Sequence, residues 1–502
     1  MNPRLRWFDL FFILLFFYLF IMQLWAIWPF TIDDMFITLR YAKHWSAGDG
    51  LVWNVNTQPV EGYSNFSFVV LALFSLILRA DPVIVLKIAG AVGLFLTCCF
   101  VFKISRNWFH WREALLPCLG LLLYKGQIIW SVSGLETTVY QALICGSVYF
   151  IFRGLGYNPY PLSRAQVQSS FLSIAGLLLA IACLTRPEAP ALVVLFSLLI
   201  CWDKEGNNSK AHGQGVAIFV LSVSMIFVPY FLWRWHYFGF VFPNPVYCKS
   251  FVHSGFLTDI GFLSFGWPWL LLSIFACLKT RDKRTYFLVL PCFLYLMMLA
   301  NSDPVVAFAN RLFLPAIALL FPLSLLGLKL IIMKYTEKQD SFFYLTFYIV
   351  SFLMAFFFIP GMSWQGYRFF SDNPVAGEQL RKEVVNWLDN NVPSHGTVVL
   401  SDSGLIPYYS ALNYIDSYCL NNVTMGHDTS PNRYKQFCHS ILKKQPQVII
   451  LTSLIEKNEV TYTPTDACLR PLLENHRQYK LIKDFTFQSQ QLTYRYELFT
   501  NF

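Results

Sequence analysis

Thr31-Ile32-Asp33-Asp34-Met35-Phe36-Ile37-Thr38-Leu39-Arg40-Tyr41-Ala42 follows directly on the first long apolar run of the chain. Gly48-Asp49-Gly50-Leu51-Val52-Trp53-Asn54 and Val60-Glu61-Gly62-Tyr63-Ser64-Asn65-Phe66 continue it. Acids, bases and aromatics crowd into this stretch between segments that are otherwise almost uncharged. It reads as a first loop outside a membrane, residues 30–82, presenting a carboxylate suited to proton transfer.

The composition agrees. Of 502 residues 56% are hydrophobic and only 13% charged, with 49 Phe, whereas a soluble domain carries about 25% charged residues. These proportions indicate a polytopic α-helical membrane protein. The net charge of +9 is what basic cytoplasmic loops produce, so no nucleic-acid partner is implied. Several of the 12 cysteines sit inside apolar runs (Cys98, Cys145, Cys277), where the thiol acts as a small hydrophobe.

Arg4 and Arg6 precede the run Phe8 to Trp28, which is about the length a bilayer core requires. No small-residue cleavage site follows it, so a retained helix with a cytoplasmic N-terminus is expected. Phe66 to Leu78 is apolar but short, which suits a re-entrant or interfacial helix. Further spans are expected at Val83–Ile104, Ala114–Ile129, Leu135–Phe152, Phe171–Leu184, Ala189–Trp202, Val216–Tyr237, Ile260–Leu278, Tyr286–Ala300, Leu312–Met333 and Phe342–Ile359. That makes about eleven. Basic clusters such as Lys103/Arg106/Arg112, Arg153/Arg164 and Lys279/Arg281/Lys283/Arg284 then share the cytoplasmic side, as orientation by Lys and Arg demands. Asp33, Asp34, Glu61, Glu136, Glu188 and Asp303 collect on the other.

Residues 1–360 thus form the membrane part, and 361–502 are polar enough for a small extracytoplasmic α/β domain. Glu378 to Asn390 reads as an amphipathic helix with Leu380, Val384 and Leu388 on one stripe. Thr397–Leu400 and Val448–Leu451 read as buried strands, and Gln491–Phe499 as an alternating one. Cys419, Cys438 and Cys468 lie in this domain. A disulfide suits an oxidising compartment, but three cysteines leave the pairing open.

Helical spacing from Met35 to Trp45 puts Asp33, Ile37, Arg40 and His44 on one face and Asp34, Thr38, Tyr41 and Trp45 on the next. The plainer reading is that both acids only cap the helix and complement its dipole. Their position at the end of a span favours function. Arg186-Pro187-Glu188, Asn244-Pro245-Val246-Tyr247 and Asp303 with Asn310-Arg311 fall on the same side. No Cys or His spacing demands a metal.

The first-loop cluster, with Ser133-Gly134-Leu135-Glu136-Thr137, Thr185-Arg186-Pro187-Glu188, Pro243-Asn244-Pro245-Val246-Tyr247 and Asn310-Arg311-Leu312-Phe313-Leu314-Pro315, resembles the terminal arabinofuranosyltransferases of mycobacterial cell walls. These are GT-C glycosyltransferases that use polyprenyl-phosphate sugars. The chain departs from that pattern at Asn301-Ser302-Asp303-Pro304 and at Pro243-Asn244-Pro245.

The resemblance implies an inner-membrane inverting transferase moving a sugar, arabinofuranose among the candidates, to a cell-envelope glycan or lipid acceptor. Asp33 is the expected base, with Asp34 the alternative base or a metal or sugar ligand. Arg40, Lys43, His44, Arg186 and Arg311 are the candidates for the donor phosphate. Trp53, Asn54, Glu61, Tyr63, Glu188, Asn244, Tyr247 and Asp303 are those for sugar or acceptor. No cofactor beyond the lipid-linked donor is required, and a divalent metal stays open. The competing function is a transporter or flippase of a polyprenyl-linked sugar, for which the short apolar segments flanking Arg186-Pro187-Glu188 would be broken helices.

Overall fold

A computed structural model describes residues 3–158, 164–203, 209–250, 256–300, 302, 307–335, 341–430, 432–457, 459–489 and 492–502. Every apolar segment expected from the sequence is helical, but the expected count of eleven spans is not reproduced. Among the described residues, four helices are long and apolar enough to cross a membrane: Pro82–Ser105, Ala211–Phe238, Leu257–Thr280 and Phe308–Lys334. Counting one bent pair as a single span makes five. Others, including Ser169–Thr185, Ala189–Trp202 and Arg284–Leu299, are apolar but have 10–17 described residues.

The bent pair replaces the expected span Ala114–Ile129. Leu115–Leu123 and Lys125–Val132 meet at 73°, because Tyr124 takes an extended backbone. The Lys125 amide donates to Pro360 O at 3.0 Å instead of continuing the helix. Phe66–Ile77 has 12 residues, about 18 Å of helix at 1.5 Å per residue. That is short of the roughly 30 Å hydrocarbon core. Thr137–Gly154 is buried along most of its length, so it forms the centre of the bundle.

Loops assigned to one side by their charge come together. Arg284 donates to Asn107 and pairs with Asp282, which also accepts from Trp108. Lys329 pairs with Glu113 at 2.8 Å. The opposite end gathers Asp33, Asp34, Glu136, Arg186 and Arg311.

The C-terminal domain opens with Trp364–Asn391, a helix of 28 residues. The expected amphipathic stripe Leu380, Val384, Leu388 is its buried face. Six strands follow: β1 (Thr397–Leu400), β2 (Asn413–Asp416), β3 (Val448–Glu456), β4 (Glu459–Tyr462), β5 (Lys480–Ser489) and β6 (Leu492–Thr500). Their order is β2-β1-β3-β6-β5, with β4 on the outer half of β3. β1 runs parallel to β2 and β3, while β6 is antiparallel to both β3 and β5. The apolar runs Val398–Leu400 and Val448–Leu451 are buried, as strands covered on both faces should be. β5 is an exposed edge carrying Lys480 and Lys483, residues that discourage edge pairing.

Two disulfides tie the structure. Cys438 bonds Cys468 within the domain, and Cys419 bonds Cys248 of the helical part at a Cα separation of 5.8 Å. Cys248 is the partner that completes the odd number of cysteines in residues 361–502.

Candidate active site

The helix expected after the acid pair is Asp34–Ala47. Neither acid serves as a side-chain cap: Asp33 occupies the N-cap position without a capping hydrogen bond. Successive helical residues diverge by about 100°, and the two carboxyls therefore enter different surroundings.

Asp34 lines a cavity of about 530 Å³, within the size range of small-molecule sites. Its carboxyl has no hydrogen-bond partner among the described residues, although Arg311 lies close enough to feel its charge. One turn on, the Thr38 hydroxyl donates to Asn65 Oδ1 at 3.0 Å. Asn65 Nδ2 in turn donates to Glu136 Oε2 at 2.9 Å. The other oxygen of Glu136 accepts from both guanidiniums of the cavity, Arg186 at 2.7 Å and Arg311 at 3.0 Å.

Local backbone explains how those arginines arrive. Arg186 precedes a proline, which excludes helical geometry. The helix Ser169–Thr185 stops there, and Arg186 is extended (φ −151°, ψ 142°). Its guanidinium also holds Glu188 at 2.7 Å. Arg311 follows Ala309 and Asn310, both left-handed with φ near 50°, a region non-glycine residues seldom enter. Tyr124 fixes that kink, its hydroxyl donating to Ala309 O and accepting from Asn310 Nδ2. Arg311 then lies 4.9 Å over the Trp130 ring and donates to Thr137 at 3.1 Å. Gly134 lets the intervening loop pass beside the acid helix: φ is +80° and a Cβ would sit 2.0 Å from Met35 Sδ.

Asp34, Arg186, Arg311, Tyr63 and Glu188, all expected site residues, line this one cavity. The Tyr63 hydroxyl is buried without a hydrogen-bond partner among the described residues. Thr38, Asn65, Glu136, Lys249 and Leu420 join them without having been named as site candidates. Glu136 had a signal, an acid between two apolar runs, but nothing in the sequence paired it with both arginines.

The other expected residues go elsewhere. Asp33 Oδ1 accepts from the Leu405 amide at 2.9 Å and lies 3.3 Å from Arg381. Burial and the neighbouring Asp402 push its carboxyl well above the usual range, against Arg381. Asp33 lines a second cavity and not the first. Arg40 is a clamp on the C-terminal domain. It donates to Trp53 O at 2.8 Å, to Pro407 O, and to Leu412 O at 3.2 Å. Burial lowers its pKa to about 10, so it remains cationic. Lys43 donates to Tyr408 O, and His44 Nδ1 lies 2.9 Å from Val52 O.

Trp53 and Asn54 both donate to Tyr414 O. Glu61 pairs with Arg234 at 3.2 Å, and burial still raises its carboxyl to about 8. Asn244 donates to the carbonyls of Cys419 and Leu420. Tyr247 stacks 4.0 Å from His427. Neither Arg40, Lys43 and His44 nor Trp53, Asn54, Glu61, Asn244 and Tyr247 line the larger cavity. Asp303 lies outside the described residues. Among the described residues, no group of three or more His, Cys, Asp or Glu is placed to hold a metal.

A family model described as a domain of unknown function (DUF8728) matches residues 368–499. No curated protein matches the sequence. Solved structures match its fold along nearly the whole length. ArnT from Cupriavidus metallidurans, bound to undecaprenyl phosphate, is 13% identical with a TM-score of 0.59, covering 98% of each chain. The Archaeoglobus fulgidus oligosaccharyltransferase is 11% identical with a TM-score of 0.62, covering 94% of this chain and 80% of that one. The arabinofuranosyltransferase AftD from Mycobacteria is 10% identical with a TM-score of 0.53, covering 97% of this chain but 41% of its own. All three are GT-C glycosyltransferases, and the chain has their fold.

Proposed function

We propose that the chain is an inverting glycosyltransferase with Asp34 as general base, taking its sugar from a polyprenyl phosphate. The observation that carries this reading is the larger cavity: one carboxylate without a hydrogen-bond partner among the described residues faces two arginines fixed by Glu136. An acceptor hydroxyl attacks the anomeric carbon and gives its proton to Asp34 as the new C–O bond forms. The bond from that carbon to the phosphate oxygen breaks, and its electron pair leaves with the polyprenyl phosphate. Arg311 and Arg186 meet the charge that develops there. The unpartnered Tyr63 hydroxyl takes a hydroxyl of the transferred sugar. A single displacement inverts the anomeric centre.

In this reading the chain sits in a bacterial inner membrane with the N-terminus cytoplasmic. The cavity and C-terminal domain lie outside, where the paired cysteines find an oxidising compartment. Arabinofuranose is the first donor to test, on the resemblance of the first loop. The acceptor is a glycan or lipid of the envelope. Proteoliposomes supplied with synthetic polyprenyl-phosphate sugars test the reaction, the product being read by mass spectrometry. Asp34→Asn lowers transfer by about 10²–10⁴-fold, the usual worth of a general base. Full transfer by that variant overturns the assignment.

A further inference from the structure

The loop Ser401-Asp402-Ser403-Gly404 leaves the carboxyl end of β1. From there the chain goes to β2 on one side, and β3 lies on the other. This is a switch point, where open α/β sheets receive ligands. Here the first loop enters it. Asp33 approaches so closely that a Cβ on Gly404 would lie 2.0 Å from Asp33 Oδ2. Arg381 bridges the acids of both sides, at 2.8 Å from Asp402 and 3.3 Å from Asp33. The Tyr496 hydroxyl of β6 donates to Asp402.

A cavity of about 240 Å³ remains beside this junction, walled by the first loop, the helix Trp364–Asn391 and β6. The rings of Phe36, Phe369 and Tyr494 supply apolar faces, and Asn373, Glu378 and Arg381 supply polar ones. The Nδ2 of Asn373 is buried with no hydrogen-bond partner among the described residues. Ring faces beside an amide, a carboxylate and a guanidinium match a sugar, whose C–H face is apolar and whose rim carries hydroxyls. The volume holds about one sugar ring, below the 300 Å³ where drug-sized sites begin.

The lining also places this cavity against the reaction. Asp33 borders it and Asp34 borders the larger one, and adjacent Cα atoms are about 3.8 Å apart. We propose that this smaller cavity is a saccharide subsite, gripping a non-reacting sugar of the acceptor while another hydroxyl reaches Asp34. The subsite rests on the glycosyltransferase reading and makes the acceptor a glycan. Binding energy from a remote sugar then positions the reacting one.

The test uses the full chain in lipid nanodiscs on an array of immobilised oligosaccharides, covering neutral, amino, uronic-acid and pentofuranose types. At least one class is retained. Tyr494→Ala and Asn373→Ala each weaken that retention ten-fold or more, while Asp34→Asn leaves it unchanged. Retention of no class overturns the subsite, as does equal retention by both seam variants with melting curves like the parent. A variant that melts early is replaced by Phe369→Leu, which keeps apolar volume but removes the ring. Continued transfer by Asp34→Asn would defeat the base assignment alone, and absence of any array retention by the parent chain the subsite alone.

Discussion

Arg40→Ala separates the two roles this residue has been given, phosphate ligand and domain clamp. In the structure the guanidinium is buried and donates to Trp53 O, Pro407 O and Leu412 O, and to Asn54 Oδ1 at 3.2 Å. It also lies 4.9 Å from the Trp53 ring and 5.3 Å from that of Tyr414. Alanine leaves three buried carbonyls without a donor, at about 1–3 kcal/mol each, partly recovered by water entering the vacated space. A net cost of about 3–5 kcal/mol follows for holding the C-terminal domain on the first loop. That corresponds to an opening equilibrium shifted by roughly 10²–10⁴-fold. Hydrogen exchange read by mass spectrometry should therefore accelerate by that factor in peptides covering 405–416 and 50–54, with the donor KM unchanged. Arg40→Lys rescues little, since an ammonium lacks the fork that spans these carbonyls. Unaltered exchange together with a ten-fold rise in donor KM would refute the clamp and restore the phosphate role.

Three further outcomes follow from the same seam. Because folding raises the Asp33 pKa, through burial and Asp402, its stabilising contribution is complete below the ordinary carboxylate value and is lost as pH rises through the raised one. Asp402 behaves oppositely: burial would lift it, but the charge of Arg381 together with hydrogen bonds from Asp33, Tyr496 and Arg381 holds it low, so its contribution disappears only in acid. Asp33→Asn should then flatten the fall in melting temperature as pH rises above the ordinary carboxylate value, while transfer continues; an unchanged slope contradicts the shift. Gly404→Ala, whose Cβ would meet Asp33 Oδ2 at 2.0 Å and Asp33 O at 2.2 Å, should cost about 1–3 kcal/mol by overpacking. A melting temperature equal to the parent's rules that out. Alkylation of the denatured, unreduced protein should add eight labels, one per free cysteine, and reduction should raise this to all 12; twelve labels before reduction disprove both bonds.

Local signals in the sequence carried far, and long-range ones did not. Apolar runs located the helices, and the charge pattern sorted their loops to the two ends that the ion pairs Arg284–Asp282 and Arg186–Glu136 occupy. The same runs gave no sign of the kink at Tyr124, whose cause is a hydrogen bond from Lys125 to Pro360. Helical spacing grouped Asp33 with Arg40 and His44, and those side chains do share surroundings away from the larger cavity. The face they share meets a domain more than 360 residues further on, a contact that periodicity alone could not show. β2, β4 and β5 went unseen because they are short or carry polar, exposed residues. The arginines after Thr185 and Asn310 were legible as charges beside apolar runs. Their common partner Glu136 was not, since sequence does not say which loops touch.

Strand β6 comes after every other strand in the chain, yet it lies between β3 and β5 and supplies Tyr496 to the Asp402 junction. Until residues 492–500 have been made, β3 and β5 have no neighbour in common and the junction lacks its tyrosine. A ribosome that stalls shortly before them would release a polypeptide with its helices in place but its sheet split. The β3 backbone left open in such a chain would be a free edge for pairing with another molecule, and β6 is the strand that closes it.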